Sequence, residues 1–367
     1  MKILYDHQIF TQQQYGGISR YFFELVRNFD GIQNSCEVAT LYSNNAYYND
    51  EFNPQLNKFL PKSHFKGKTR ITNYLNKKKS LDELKKENFN VFHPTYYDDY
   101  FLSNIKNKPF VVTFYDMIHE KFCNQFESLK LDTKLFDNKR RLLERANKII
   151  AISETTKKDI IEIFDVDENM IDVVYLGSSL ENLSIINEKI IKEDYILFVG
   201  NRSIYKNFNF FISSVADLLL QSHLKLVCAG GGDFTIEEEK LIASLGLENL
   251  VISKKIINDD VLSNFYKHAL FFVFPSLYEG FGIPVLEAFA CDCPILLSDG
   301  GSLKEVGGDA ALYFDPTNEY SLRNAINELI GDESLRKNLK QKAKIRLNEF
   351  SWNKTFDETL EVYKSIM

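Results

Sequence analysis

Short apolar runs alternate along this chain with stretches whose apolar residues recur at helical spacing, the pattern of βαβ units around parallel sheets. A first series predicts strands at Lys2–Tyr5, Glu37–Leu41, Val91–His93, Phe110–Phe114, Lys148–Ile152 and Ile171–Tyr175. Between the first two, Ile18, Tyr21, Phe22, Leu25, Val26 and Phe29 fall on one helical face, suited to packing on a sheet. From Gly177 to Asp194 the pattern dissolves into Ser, Asn, Glu and Lys. A second series then begins, with strands at Tyr195–Val199, Leu224–Ala229, Leu250–Ile252, Leu270–Phe274 and Pro294–Ser298. The reading is α/β, two doubly wound domains in tandem at 1–180 and 193–351, with a linker at 181–192. Ligands of such sheets bind at the carboxyl ends of the strands, so chemistry is sought in those loops. A closing segment, 352–367, places Phe356, Leu360, Tyr363 and Met367 on one helical face.

Composition narrows the function classes. With 44% hydrophobic and 26% charged residues over 367 positions, the chain is neither disordered nor a disulfide-stapled miniprotein. No apolar run approaches the ~18 residues of a membrane span. A net charge of −7 argues against a dedicated nucleic-acid binder. Met1-Lys2-Ile3-Leu4-Tyr5 runs straight into a strand without a leader pattern, so a cytoplasmic location is expected. The cysteines, Cys36, Cys123, Cys228, Cys291 and Cys293, are odd in number and lack a Cys-x-x-Cys, which fits a reducing compartment. Cys291-x-Cys293 reads as two buried small hydrophobes.

The mild acidity hides an asymmetry. Residues 58–86 carry Lys58, Lys62, Lys66, Lys68, Arg70, Lys77, Lys78, Lys79, Lys85 and Lys86 against Asp82 and Glu83 alone. Phe59, Phe65, Ile71, Tyr74 and Leu75 interleave with them. Such a stretch is either an ordinary solvated surface or a peripheral contact with anionic lipid head groups.

The strongest chemical signal runs from Phe274 to Ala288, FPSLYEGFGIPVLEA. A strand ends at Phe274, a loop punctuated by Gly280 and Gly282 follows, and a helix opens near Ile283-Pro284, where proline is well placed. The helix amino end suits a phosphate, and the two glycines allow a close approach. Glu279 precedes this anion site and Glu287 lies about one turn into the helix.

This segment resembles the Glu-x7-Glu motif of the retaining glycosyltransferases of family 4, which have the GT-B architecture of two Rossmann-like domains facing a cleft. Gly16-Gly17 before the first helix, Val199–Asn207 (VGNRSIYKN), Ser302–Ala310 (SLKEVGGDA) and Phe350-Ser351-Trp352 fit the same family. The resemblance implies a nucleoside diphosphate sugar as donor, GDP-mannose first and UDP-hexoses close behind. It implies a glycan or lipid-linked glycan acceptor in bacterial surface-polysaccharide or lipopolysaccharide assembly. The first domain would hold the acceptor and the second the donor, with the last helix crossing back to the first domain. No cofactor and no metal are implied, so protein cations must stabilise the departing diphosphate. Lys206 and Arg202 are the candidates, aided by the amides of Phe281, Gly282 and Ile283 and by Gly17. The resemblance puts Glu287 on the ribose hydroxyls and Glu279 on the transferred sugar. Retention would come from attack on the face the diphosphate leaves, its oxygen taking the acceptor's proton.

One departure stands out. In the segment Val111–Glu120 (VVTFYDMIHE) the family commonly carries a His before the Asp, where this chain has Tyr115, with His119 four residues later. Tyr115, His119 or Glu120 takes the sugar contact. Asp98-Asp99 and Asp259-Asp260 read as solvated acids, Gly230-Gly231-Gly232 as a close backbone turn, and His93-Pro94 as a structural turn. An oxidoreductase would need a Gly-x-Gly-x-x-Gly turn that the first strand lacks. A nucleotide-sugar epimerase of the same architecture and a non-catalytic partner in a glycan-assembly complex stand as alternatives.

Overall fold

The computed structural model describes residues 1–29, 33–51, 59–60, 65–130, 132–180 and 188–367. Lys58 and Lys62 of the basic stretch and residues 181–187 of the expected linker lie outside the described residues. The chain divides into two units. The first comprises Met1–Cys123, Lys130–Leu176 and Trp352–Met367, and the second Asn124–Leu129 and Gly177–Ser351.

In the first unit six strands form two parallel ladders. These are β1 (Lys2–Tyr5), β2 (Ser35–Val38), β3 (Val91–His93), β4 (Val111–Phe114), β5 (Lys148–Ala151) and β6 (Ile171–Val173). Their orders are β2-β1-β3 and β4-β5-β6, joined by a parallel bridge between Phe92 and Phe110. Ile3, Phe92, Val111 and Ile149 are fully or almost fully buried, as parallel strands covered on both faces require. The second strand starts two residues earlier than its apolar pattern suggests. Its register sets Ser35 opposite Lys2 and Val38 opposite Tyr5, and the chain turns at Thr40.

The final helix, Trp352–Lys364, packs within this unit. Its inward face is Thr355, Thr359, Leu360, Val362 and Tyr363, while Phe356 meets the Phe29 ring edge-on at 5.0 Å. Met367 is 64% exposed, so the expected apolar stripe stops short of it. The Tyr363 hydroxyl lies 2.6 Å from His93 Nδ1 and 3.0 Å from the Tyr5 hydroxyl. Nε2 of His93 completes the chain with Thr113 Oγ1 at 2.9 Å. His93 therefore ends its strand as a fully satisfied core residue, and burial pushes its pKa down to about 3.

The basic helix Lys68–Lys86 is inverted in polarity. Thr72, Asn76 and Ser80, four residues apart, point inward. Asn76 accepts from the Leu41 and Tyr42 amides and donates to the Tyr42 carbonyl and Thr11 Oγ1. Ser80 donates to the Ala39 carbonyl. Ile71 and the 68%-exposed Tyr74 face outward beside Arg70 and Lys78.

The second unit has one parallel sheet of β7 (Tyr195–Val199), β8 (Lys225–Ala229), β9 (Val251–Lys254), β10 (Phe271–Phe274), β11 (Ile295–Ser298) and β12 (Leu312–Phe314). The order is β12-β11-β10-β7-β8-β9, the doubly wound arrangement whose direction of progress reverses between β7 and β10. The apolar pattern misses β12, three residues long and edge-placed. Phe198, Phe208, Phe211, Leu226 and Val273 anchor its core.

Candidate functional site

The loops after β7 and β10 flank the switch point, where an open α/β sheet leaves a crevice for ligand. After β7, Gly200 takes a left-handed turn (φ 111°) and a short helical turn, Ile204–Lys206, follows. After β10 comes the glycine-punctuated loop with Glu279. A backbone bond from the Leu277 amide to the Tyr205 carbonyl, 2.7 Å, ties the two loops together. The Lys206 ammonium then sits 2.6 Å from a Glu279 carboxylate oxygen, both side chains largely buried. The Phe274 ring lies 4.9 Å from the same ammonium.

A third loop, after β11, clamps the second. Ser302 Oγ donates to the Glu279 and Phe281 carbonyls at 3.0 Å each, and the Ser302 amide also reaches the Glu279 carbonyl. A Cβ on Gly300 would collide with the Leu277 carbonyl, and one on Gly301 would lie 2.6 Å from the Glu279 oxygen. Gly282 (φ 95°) ends the loop and caps the helix Ile283–Ala290, with Pro284 in its first turn. The positive end of that helix thus opens beside Glu279. Glu287, one turn in, accepts from the Tyr266 hydroxyl at 2.9 Å. Burial, reinforced by the Glu287 charge, holds the Tyr266 pKa well above its ordinary value, so the hydroxyl stays a donor.

Arg202 is placed differently. Its Nε pairs with Glu238 at 2.8 Å, and its other nitrogens donate to the carbonyls of Gly230, Gly232 and Asp233. The guanidinium lies 4.8 Å from the Phe234 ring. It holds the Gly230–Gly232 turn, whose three glycines all have positive φ and where a Cβ on Gly231 would strike Gly200 and Asn201.

The remaining candidates belong to the first unit. Gly16 caps the helix Gly17–Arg27 in extended conformation, and Gln13 Oε1 takes the Ser19 amide at 3.2 Å in the helix's first turn. Tyr115 is buried just past β4, and His119 is exposed on the short helix Ile118–Phe122. Glu120 pairs with Lys139 at 2.8 Å. Asp99 of the first acidic pair binds Arg141 at 2.6 Å. Among the described residues no cluster of His, Cys, Asp and Glu is arranged to hold a metal. Sequence reasoning missed Gln13, Lys139, Glu238 and the Gly300-Gly301 clamp. The paired glycines one residue past a strand were an available signal.

Comparison with known proteins settles the family. The sequence profile of Glycosyltransferase Family 4 matches residues 15–182, and that of Glycosyl transferases group 1 matches residues 180–346. The chain belongs to glycosyltransferase family 4. The O-antigen chain mannosyltransferase RfbU of Salmonella typhimurium is 32% identical over 187 residues, covering 51% of this chain and 52% of that protein. Sucrose-phosphate synthase from Thermosynechococcus elongatus superposes with a TM-score of 0.78 at 18% identity, covering 100% of this chain and 98% of its own. HepE of Anabaena, solved with UDP and glucose, gives 0.76 at 16% identity with 99% of both chains covered. These place the family 4 chain in the GT-B fold. The aligned part of this chain spans from about half to three fifths of the length of the curated relatives it matches first. Among the described residues no helix is long and apolar enough to cross a membrane.

Proposed function

We propose that this chain is a retaining, metal-independent glycosyltransferase that moves a hexose from a nucleoside diphosphate sugar to a glycan or lipid-linked glycan, in assembly of a bacterial surface polysaccharide. The observation that carries the reading is the Lys206–Glu279 pair at the switch point of the second unit, beside the amino end of the helix Ile283–Ala290. Diphosphate leaving groups gather negative charge as the glycosidic bond breaks, and a preorganised cation with a helix dipole opposes it. Lys206 supplies the cation. Arg202 reaches the diphosphate only by exchanging its bonds to Glu238 and the glycine turn. Glu287, oriented by Tyr266, takes the ribose hydroxyls, and Glu279 a hydroxyl of the hexose. The acceptor's proton leaves on the diphosphate oxygen. The O-antigen mannosyltransferase relative favours GDP-mannose, and the UDP complex of HepE keeps UDP-hexoses as the second donor class.

The outward face of Lys68–Lys86, with Ile71 and Tyr74 among cations, supports a peripheral contact with anionic lipid where the acceptor would be presented. A panel of nucleotide sugars, scored by thermal shift and by slow hydrolysis, tests the donor. Stabilisation and hydrolysis restricted to one nucleoside diphosphate hexose are expected. Stabilisation by none, or by NAD alone, would overturn the proposal. Interconversion of the sugar without acceptor would establish the epimerase alternative instead.

A further inference from the structure

The loop after β7 carries two cations toward the switch point, Arg202 and Lys206, and they are held in opposite ways. The Arg202 side chain is 3% exposed, and Nε, Nη1 and Nη2 all donate, to Glu238, to the Gly230 carbonyl and to the carbonyls of Gly232 and Asp233. The rings of Phe234 and Phe208 lie 4.8 and 5.9 Å from its guanidinium. Glu238 is pinned in turn, since its other oxygen accepts the Thr235 amide at 2.8 Å where the helix Ile236–Ser244 begins. To reach a phosphate, Arg202 would leave behind a buried carboxylate and a row of carbonyls. Stranding one half of a buried pair costs more than the pair itself contributes.

What the guanidinium grips is itself fixed. The Gly232 carbonyl also accepts from Ser253 Oγ at 2.9 Å, and the Gly230 amide donates to the Lys254 carbonyl at 2.9 Å, so β9 backs the turn from its far side. Gly231 lies so near the β7 loop that a Cβ there would stand 2.6 Å from the Gly200 carbonyl oxygen. From Arg202 the chain runs to Lys206 with little slack. The Ser203 amide and hydroxyl both donate to Asn201 Oδ1, and the Lys206 amide donates to the Ser203 carbonyl at 2.9 Å. On the other side, the Tyr205 carbonyl accepts the Leu277 amide of the β10 loop at 2.7 Å. The segment that ends in Lys206 is thus strung between two fixed points, Arg202 toward β8 and Tyr205 toward β10.

We propose that Arg202 is a positioning residue: by gripping the glycine turn after β8 it sets the backbone from which Lys206 reaches the donor diphosphate, and it does not touch the donor itself. The residue types suit this division. A planar guanidinium holds several fixed carbonyls at once, whereas an ammonium is a compact charge on a flexible stem. Lys206 has one carboxylate to exchange for a phosphate, and that carboxylate, Glu279, belongs to the same site. The diphosphate in this assignment rests on the glycosyltransferase reading, whereas the grip on the loop does not.

Arg202→Lys is the informative variant, because it keeps the charge and loses the planar fork. Amide exchange of the full chain without ligand is read first. The Leu277 amide, bonded to the Tyr205 carbonyl, should exchange about ten-fold faster in the variant, while the amides of β7 stay as protected as in the parent. Equal protection of Leu277 in the two proteins would overturn the proposal. If the lysine variant does not fold, Arg202→Met/Glu238→Leu removes the pair whole and carries the same expectations. Calorimetric titration with GDP and with UDP then compares Arg202→Lys, Lys206→Ala and their combination. Each single variant should bind the parent's nucleotide about ten-fold more weakly, and the combination no more weakly than Lys206→Ala, since Arg202 acts through Lys206. Losses that multiply would put Arg202 on the diphosphate itself, and parent affinity in Arg202→Lys would make its grip merely structural; either result overturns the proposal. Binding of neither nucleotide by the parent would sink the glycosyltransferase reading and leave the Leu277 comparison to decide the grip.

Discussion

The Lys206 ammonium lies 2.6 Å from the Glu279 carboxylate, each residue carried by a loop that leaves one of the two strands flanking the switch point. Without donor each satisfies the other; with donor, phosphate oxygens compete for the ammonium and the carboxylate can turn to a sugar hydroxyl. Lys206→Ala should lower kcat by about 10²- to 10³-fold, the usual loss when a stabiliser of developing charge is removed. Steady-state kinetics with the donor found in the nucleotide-sugar panel checks this, and an unchanged kcat would remove Lys206 from the reaction.

Gly301→Ala tests the clamp. The residue has φ of 60°, and a Cβ would lie 2.6 Å from the Glu279 carbonyl oxygen. Left-handed backbone alone costs a non-glycine residue about 1–2 kcal/mol. Gly246→Ala is the control, with a similar φ of 70° and open space around its Cβ. Both variants should melt earlier, while Gly301→Ala alone should lose turnover, by ten-fold or more. Equal turnover in the two would mean that the clamp does not position Glu279.

Stability should fall on mild acidification because of His93. Its folded pKa is about 3 against an ordinary 6.5, so the unfolded chain binds the proton that the folded chain refuses. Stability is therefore full above pH 6.5 and declines as pH drops toward 3, at about 1.4 kcal/mol per pH unit. By pH 5 the contribution reaches roughly 2 kcal/mol. Urea denaturation of the parent and of His93→Gln from pH 7.5 to 5 should show the slope of the variant reduced by about one proton. Parallel slopes would contradict the neutral, buried assignment.

Charge reversal on the outward face of the basic helix tests the lipid contact. Arg70→Glu/Lys78→Glu should weaken sedimentation with phosphatidylglycerol vesicles by about an order of magnitude. Phosphatidylcholine vesicles should hold little of either protein, and raised salt should release the parent. Equal binding by variant and parent would rule this face out.

What the sequence disclosed follows from where the physics is local. The strand Tyr195–Val199 is apolar throughout and bounded by Asp194 and Gly200, so its limits could be read directly. The Glu279–Glu287 loop was legible because its glycines and Pro284 announce a strand-to-helix turn. The helix Lys68–Lys86 was not, since its inward face is held by hydrogen bonds of Thr72, Asn76 and Ser80 and no apolar period marks it. The Arg202–Glu238 pair joins residues 36 apart, and the Ser302 clamp reaches back 23 to Glu279. Spacings of that kind are set by sheet topology, which no local pattern records. The final helix was expected to bury Met367, yet Thr355 and Thr359 join the expected Leu360 and Tyr363 in its contact instead, because a hydroxyl can enter a core once it finds a partner.

The bond between Tyr5 and Tyr363 spans 358 positions. A chain made from its amino end therefore produces the first strand long before the side chain that completes its surroundings. Until residue 363 emerges, His93 lacks its Nδ1 partner and the cover over Phe29 is missing. The second unit, Asn124–Leu129 and Gly177–Ser351, has every residue it needs once residue 351 is made. Order of synthesis and order of completion are thus reversed: the unit begun first is finished last, and a released chain ending at residue 351 should show a protease-resistant second unit beside a cleavable first one.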